Sequence, residues 1–233
     1  MNLCVIPARG GSKRIPRKNI KHFLGKPIIA YSIQAALDSG CFDKVIVSTD
    51  DEEIASIALE YGAETPFIRP EELSNDYAGT LPVVKHAIEW FEDHSTRPGR
   101  VCCLYATAPF VKAELLKQSY LHWQQSKSDY CLSVTSFAFP IQRALKITRD
   151  SRIEMFQPEH FNTRSQDLDE AYHDAGQFYW GTTEAWKAEV AVFSSAASPY
   201  LLPRHFVQDI DTQEDWVRAE LMYKVLNESG ELV

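Results

Sequence analysis

The run Ala8-Arg9-Gly10-Gly11-Ser12-Lys13-Arg14, with Lys18 and Asn19 shortly after it, is made of residue types that hold an anion. Glycines let backbone N–H groups come close to phosphate oxygens, and the flanking cations neutralise their charge. The spacing is neither GxxxxGK followed by Ser or Thr nor GxGxxG, which sets aside the P-loop ATPases and the dinucleotide-binding dehydrogenases. Residues 1–37 contain no Asp or Glu but hold seven cations, Arg9, Lys13, Arg14, Arg17, Lys18, Lys21 and Lys26, in a chain whose net charge is −8. A solvated basic loop carries such charge too. A polyanion such as a nucleoside triphosphate accounts both for the missing acids and for the embedded Gly10-Gly11-Ser12. RNA or DNA is the other polyanion. The acidic total and the lack of interleaved aromatic and basic residues argue against nucleic acid and against a membrane surface.

The second constellation is Asp209-Ile210-Asp211. Carboxylates at i and i+2 of an extended piece share one face, with Ile210 turned to the core. Two convergent carboxylates suit Mg²⁺, which keeps waters and is completed by substrate phosphates. Asp211 next to Thr212 is equally placed to cap a helix. The five cysteines form no CxxC pair and sit in or beside apolar stretches, so they read as reduced core residues. No HExxH pattern indicates zinc.

The elements that must position these groups follow from apolar patterning. A strand is expected at 2–7, a helix at 27–39 with Pro27 in its first turn and Gly40 as cap, a strand at 44–48, and a helix at 51–61 ending at Gly62. Further on come a helix from Thr80, its N-cap, to about His94, a strand at 101–105, a helix at 113–125 and a strand at 129–135. Between 136 and 174 the rhythm breaks into a polar excursion with strand-like pieces at 144–148 and 153–156. A strand at 177–180 follows, and Thr212 with Asp215 forms a capping box for a last helix to about Asn227. Alternating strands and helices imply an α/β protein with a parallel sheet covered on both faces. At 233 residues and 26.5 kDa, one domain with an excursion is the expectation, able to bury roughly 70% of its surface. No apolar run approaches the roughly 20 residues that span a bilayer, and the start lacks a basic leader, so a cytoplasmic protein is expected.

The run Ile6-Pro7-Ala8-Arg9-Gly10-Gly11-Ser12-Lys13-Arg14-Ile15-Pro16-Arg17-Lys18-Asn19, then Val45-Ile46-Val47-Ser48-Thr49-Asp50, resembles the cytidylyltransferases that activate nonulosonic (sialic-acid-like) sugars, over nearly the whole chain. The resemblance implies a three-layer α/β/α nucleotidyltransferase fold with a mostly parallel Rossmann-like sheet. It implies that Arg9, Gly10, Ser12, Lys13, Arg14, Lys18 and Asn19 hold the phosphates of CTP, and that Arg69 and Thr80 lie beside the cytidine. On residues alone, Arg69 is also readable as a surface arginine before Pro70, and Thr80 as a helix N-cap. The family's acidic pair implies Mg²⁺ on Asp209 and Asp211, with Arg9, Lys18 and Asp211 catalytic. The nucleophile it implies is the anomeric hydroxyl of a nine-carbon keto-sugar acid, giving a CMP-sugar and pyrophosphate with no covalent enzyme intermediate.

Such an acid needs a cation for its carboxylate, neutral donors, and apolar patches for its acyl groups. Arg143, Lys146 and Arg164 on the excursion, and Tyr105, Thr107, Gln177 and Tyr179, are the candidates. Where the sialic-acid enzymes read LQPTSPLR and NGAIY, this chain has Leu104-Tyr105-Ala106-Thr107-Ala108-Pro109-Phe110-Val111 and Asp174-Ala175-Gly176-Gln177-Phe178-Tyr179-Trp180-Gly181. Both variants resemble the branch that activates pseudaminic acid for bacterial surface or flagellar glycosylation. N-acetylneuraminate, legionaminate and Kdo-like acids are the alternative substrates, and a nucleotide-binding protein without catalysis is the non-enzyme alternative. Retention of Lys18, Asn19, Asp209 and Asp211 points to catalysis. The family's bacterial members imply a homodimer whose excursion helps to pair subunits and reaches a neighbouring site.

Overall fold

The computed structural model describes residues 1–232. Along the chain run β1 (Asn2–Pro7), the short pair β2 (His22–Phe23) and β3 (Lys26–Pro27), α1 (Ile29–Ser39), β4 (Lys44–Ser48), α2 (Glu52–Glu60), α3 (Thr80–His94) and β5 (Arg100–Leu104). Then follow α4 (Ala113–Ser126), β6 (Tyr130–Ser136), β7 (Leu145–Ile147), β8 (Ile153–Met155), β9 (Tyr172–Thr182), α5 (Thr183–Lys187), β10 (Ala197–Leu201) and α6 (Gln213–Glu228). Six strands form one sheet in the order β10-β6-β9-β5-β1-β4. Every neighbouring pair in it is parallel except those of β9, which runs antiparallel between β5 and β6.

Leu3, Cys4, Val5 and Ile6 of β1 are all fully buried, as a strand covered on both faces requires. Cys4 and Ile6 point to one side, where α1, α2 and α4 supply Ile33, Ile54 and Leu116. Leu3 and Val5 point to the other, against Val84, Ile88 and Phe91 of α3 and Trp186 of α5. The result is the expected α/β/α layering. The cysteines are free, and burial raises the thiols of Cys4, Cys102, Cys103 and Cys131, which fits their reading as reduced core residues. A third core fastens α6 under the basic loop: Ile15, Phe23, Ile28 and Tyr31 pack on Ile210, Trp216 and Ala219. Phe23 meets both Tyr31 and Trp216 edge to face at 5.6 Å.

Several expectations are corrected. Pro27 is not helical: it pairs with His22 in the two-stranded ladder, and Ile28 caps α1. Thr80 is not the N-cap of α3; Gly79 is, and Thr80 is the first helical residue. Strand β9 begins at Tyr172, inside the proposed excursion, because Gly176 at φ 61° and a register shift between Leu132 and Val134 break its alternation. Helix α5 and strand β10 were not foreseen, being five residues each, too short for a period, with Pro199 inside the edge strand. The excursion does hold the two expected short strands, β7 and β8, paired in a sheet of their own. Gly40 and Gly62 take the left-handed turns expected of them. Among the described residues, no helix is long and apolar enough to cross a membrane.

Packing is tightest where β9 crosses the sheet. A Cβ at Gly181 would lie 2.4 Å from the indole nitrogen of Trp186 and 2.6 Å from the ring of Tyr130. Both rings are fully buried and cannot swing away. Gly181→Ala is therefore expected to cost about 3 kcal/mol through overpacking. That corresponds to a fall of roughly 6–12 °C in Tm for a chain of this size. Thermal melting checks it, and a variant melting within about a degree of the parent contradicts the packing described.

Candidate active site

The chain leaves β1 to build β4 on one side and returns to build β5 on the other, so the sheet order reverses at β1. A crevice opens there, at the carboxyl ends of the strands, where open α/β sheets bind ligands. The basic loop follows β1 directly and is held by the protein itself. The Ala8 N–H donates to the Ser48 carbonyl at 2.9 Å, the Gly10 N–H to the Asp50 carboxylate at 3.0 Å, and the Asn19 amide to the Arg9 carbonyl at 3.0 Å. Arg17, in the left-handed region at φ 56°, binds Asp51 through both guanidinium nitrogens and Glu53 at 2.5 Å. Asp51 also accepts the Glu53 and Ile54 N–H groups as the cap of α2. Its hydrogen bonds from Arg17 hold its carboxyl below the usual range. Gly10 is required by this packing, since a Cβ there would lie 2.5 Å from the Asp51 carboxylate. Arg17 and Asp51 thus shape the loop and leave its other cations to a ligand.

Those cations line a cavity of about 430 Å³ together with Ser12, Asn19, Arg69, Thr80, Tyr105, Thr107 and Asp211. Arg9 and Lys13 both bind Asp76, Arg9 at 2.7 Å. Arg14 and Lys18 both bind Asp211, at 2.8 and 3.3 Å, and the Lys18 ammonium also donates to the Ile210 carbonyl at 2.7 Å. Arg69 is only 4% exposed, which removes its reading as a surface residue. Its Nε donates to Ser74 Oγ at 3.1 Å, its guanidinium lies 3.8 Å from Asp50, and burial lowers its pKa against the pull of that carboxylate.

Of the acidic pair, Asp211 faces the cavity and Ile210 between the two is 1% exposed, in the core of α6, while Asp209 is exposed and lies outside the cavity lining. Asp211 is not the helix cap. Thr212 and Asp215 form that capping box, with Asp215 also accepting the Asp211 N–H at 3.2 Å, so the Asp211 carboxylate remains directed to Arg14 and Lys18. Asp209 titrates above its ordinary value because burial penalises its charge and Asp211 adds to the penalty. A divalent cation relieves both effects, so two hard oxygen donors with mutually unfavourable charge fit such an ion. Among the described residues no group of three or more His, Cys, Asp or Glu side chains forms a metal cluster.

A second cavity, of about 370 Å³, shares Gly79, Thr80 and Tyr105 with the first. Leu81, Pro82, Trp186, Val192 and Phe193 make its apolar wall, and Asp174 and Tyr179 its polar one. The Tyr105 hydroxyl donates to that of Tyr179 at 3.3 Å, and Tyr179 donates to Asp174. Burial pushes the Tyr105 hydroxyl up to about 12 and raises that of Tyr179 as well. Of the residues expected on the sugar side, Tyr105, Thr107 and Tyr179 are thus brought to the two cavities.

Four are not. Gln177 is buried with its amide donating to the Phe206 carbonyl at 2.5 Å, so it ties β9 to the segment before α6. Arg143 reaches Ser165 and the Phe161 carbonyl, each at 3.4 Å; Lys146 binds Glu154 at 3.1 Å; and Arg164 binds Asp167 at 2.7 Å. All three of these cations remain on the excursion, outside both cavities of their own chain. Conversely, Asp76 and Phe193 carry no motif, Asp50 stands in the quoted Val45 to Asp50 run with no role assigned to it, and Asp174 is visible only as a departure from NGAIY.

Asp76 occupies Arg9 and Lys13, two of the cations expected to meet a triphosphate, and Lys13 and Arg9 hold its carboxyl below the usual range. Asp76→Asn is expected to tighten nucleoside triphosphate binding by about three- to tenfold, the scale of exposed ion pairs. Isothermal titration measures this, and an unchanged or weaker affinity contradicts the competition.

A family model described as cytidylyltransferase matches residues 3–223. The pseudaminic acid cytidylyltransferase of Campylobacter jejuni is 52% identical over 229 residues, which are 98% of this chain and 99% of that one. The CMP-N,N'-diacetyllegionaminic acid synthase of Legionella pneumophila is 33% identical over 97% of this chain and 98% of its own. Among solved structures, CMP:2-keto-3-deoxy-manno-octonic acid synthetase complexed with CTP superposes with a TM-score of 0.68 at 14% identity, covering 96% of this chain and 98% of that one, a likeness of fold. With the loop, the crevice and the acidic arm all inside the matched residues, the chain belongs to the cytidylyltransferase family and is a CTP-using nucleotidyltransferase.

Proposed function

We propose that this enzyme transfers the cytidylyl group of CTP to the anomeric hydroxyl of pseudaminic acid, releasing pyrophosphate. The observation that carries the reading is the pairing of a cation-lined cavity with an apolar one, joined at Thr80 and Tyr105. A triphosphate and a sugar acid bearing acyl and methyl groups need such a pair of compartments in contact. The 52% identity with a relative of that name supports the choice of sugar.

In this reading Arg9, Lys13, Arg14 and Lys18 neutralise the roughly four negative charges of the triphosphate and those of the departing pyrophosphate. Ser12 and Asn19 complete the cradle, with Gly10 setting its turn against Asp50 and Asp51, while Arg69 and Thr80 lie beside the cytidine. Asp209 and Asp211 would hold Mg²⁺. When bound, the ion supplies charge neutralisation at the phosphate oxygens. The sugar hydroxyl forms the new bond to the α-phosphorus as the bond to pyrophosphate breaks, with no covalent enzyme intermediate. Tyr105, Thr107 and Tyr179 line the sugar's place.

The excursion supports a homodimer. Phe139 and Ile147 are 82% and 81% exposed, and Ile153, Phe156 and Phe161 stand out beside them, an apolar surface unusual for a free monomer. Burying it against a second copy is the route by which Arg143, Lys146 and Arg164 reach a neighbouring sugar carboxylate. The CTP requirement fits the cytoplasm, and the product fits bacterial surface or flagellar glycosylation.

Pyrophosphate release from CTP and Mg²⁺, run side by side with pseudaminic acid and N-acetylneuraminic acid, tests the reading. Turnover is expected with pseudaminic acid at least tenfold more efficiently. Preference for N-acetylneuraminic acid contradicts the choice of sugar, and release with neither, in folded protein, contradicts the reaction on these acids.

A further inference from the structure

The apolar cavity has a polarity that the reaction itself does not demand. Its two tyrosines are turned toward one carboxylate: Tyr105 donates to Tyr179, Tyr179 donates to Asp174, and behind the wall the Gly176 N–H donates to the other Asp174 oxygen at 2.9 Å. The other acid at the wall, Glu189, is neutralised by Lys85 at 2.7 Å. Among the described residues, no Lys, Arg or His lies within ion-pair distance of Asp174, whose carboxylate has two of about four hydrogen-bonding positions filled.

Such a wall offers acceptors and takes donors. A ligand group facing it must supply an N–H or O–H, and a second carboxylate is excluded by like charge. Phe193, Val192 and Trp186 in the same cavity offer an apolar seat, which an acyl methyl fills and a bare hydroxyl does not. An acylamido group satisfies both surfaces at once.

We propose that Asp174 is a specificity-determining residue of the sugar cavity: it accepts the N–H of an acylamido group and turns the sugar's own carboxylate away from this end. The inference rests on the functional reading above and deepens it. It explains why the cavity lacks the cation that a sugar acid needs, since that cation belongs at the opposite end of the sugar. The neutral oxygen of an amide side chain would accept the same N–H more weakly and would not repel a carboxylate.

Steady-state pyrophosphate release with Asp174→Ala and Asp174→Asn provides the test. Pseudaminic acid carries two acylamido groups, and N-acetylneuraminic acid carries a hydroxyl in place of the second. For Asp174→Ala, KM for pseudaminic acid is expected to rise about 10- to 100-fold, the scale of a lost charged hydrogen bond, while KM for CTP stays within twofold. The preference for pseudaminic over N-acetylneuraminic acid should fall at least tenfold in Asp174→Ala and partly in Asp174→Asn. A general loosening of β9 would lower both activities together and leave the preference intact. Should thermal melting show Asp174→Ala unfolded, Asp174→Asn, near-isosteric and able to keep the Gly176 bond, carries the test. Sugar KM and preference within twofold of the parent in the folded variants overturn the inference. A parent enzyme inactive on pseudaminic acid fails earlier, at the functional reading, and takes the inference with it.

Discussion

Lys18 reaches across 192 residues of sequence to the carbonyl of Ile210 and on to the carboxylate of Asp211. That contact, with the Arg14 pair to the same carboxylate, joins the basic loop after the first strand to the acidic arm before the last helix. It is set by packing rather than by charge. Ile210 is buried with Ile15, Phe23 and Trp216, which lie under the loop and on α6. Burying such a side chain contributes roughly 1.5–3 kcal/mol, more than an exposed ion pair supplies. The apolar residue between the two aspartates therefore acts as the pin that keeps Asp211 facing Arg14 and Lys18.

Around this joint the site is organised by competition between internal and external anions. Asp76 and Asp211 each hold two of the loop's cations, while Arg17 is bound to Asp51 and Glu53 and serves shape alone. In the proposed reading a triphosphate with its metal replaces Asp76 at the loop and takes Asp211 as a ligand. The adjoining cavity works on the opposite principle. Its walls are apolar, its tyrosines stay protonated, and its one unpaired acid sets which end of the sugar enters.

Much of this was legible in the residues. The buried parallel strands β1 and β4 announce themselves as continuous apolar runs, the loop by its glycines amid cations, and Asp209-Ile210-Asp211 by its alternation. What escaped was produced by tertiary neighbours. Arg69 gives no local sign of burial, because Asp50, the carboxylate that makes burial tolerable, comes from another segment. Gln177 lies in a strand pattern that predicts an inward side chain but not that Phe206 will receive it. Strand β9 hides its length behind the left-handed Gly176. The cations of the excursion answer to a sugar carboxylate by type, yet within one chain their partners are Glu154, Asp167, Ser165 and the Phe161 carbonyl.

In the proposed reading the basic loop and the acidic arm form one site for a metal-bound triphosphate. Isothermal titration of CTP with and without Mg²⁺, on the parent and on Asp211→Asn, tests it directly. Mg²⁺ is expected to strengthen CTP binding at least tenfold in the parent and less than twofold in the variant, whose Arg14 and Lys18 are freed for the bare nucleotide. An Asp211→Asn protein that keeps the parent's full dependence on Mg²⁺ would contradict it.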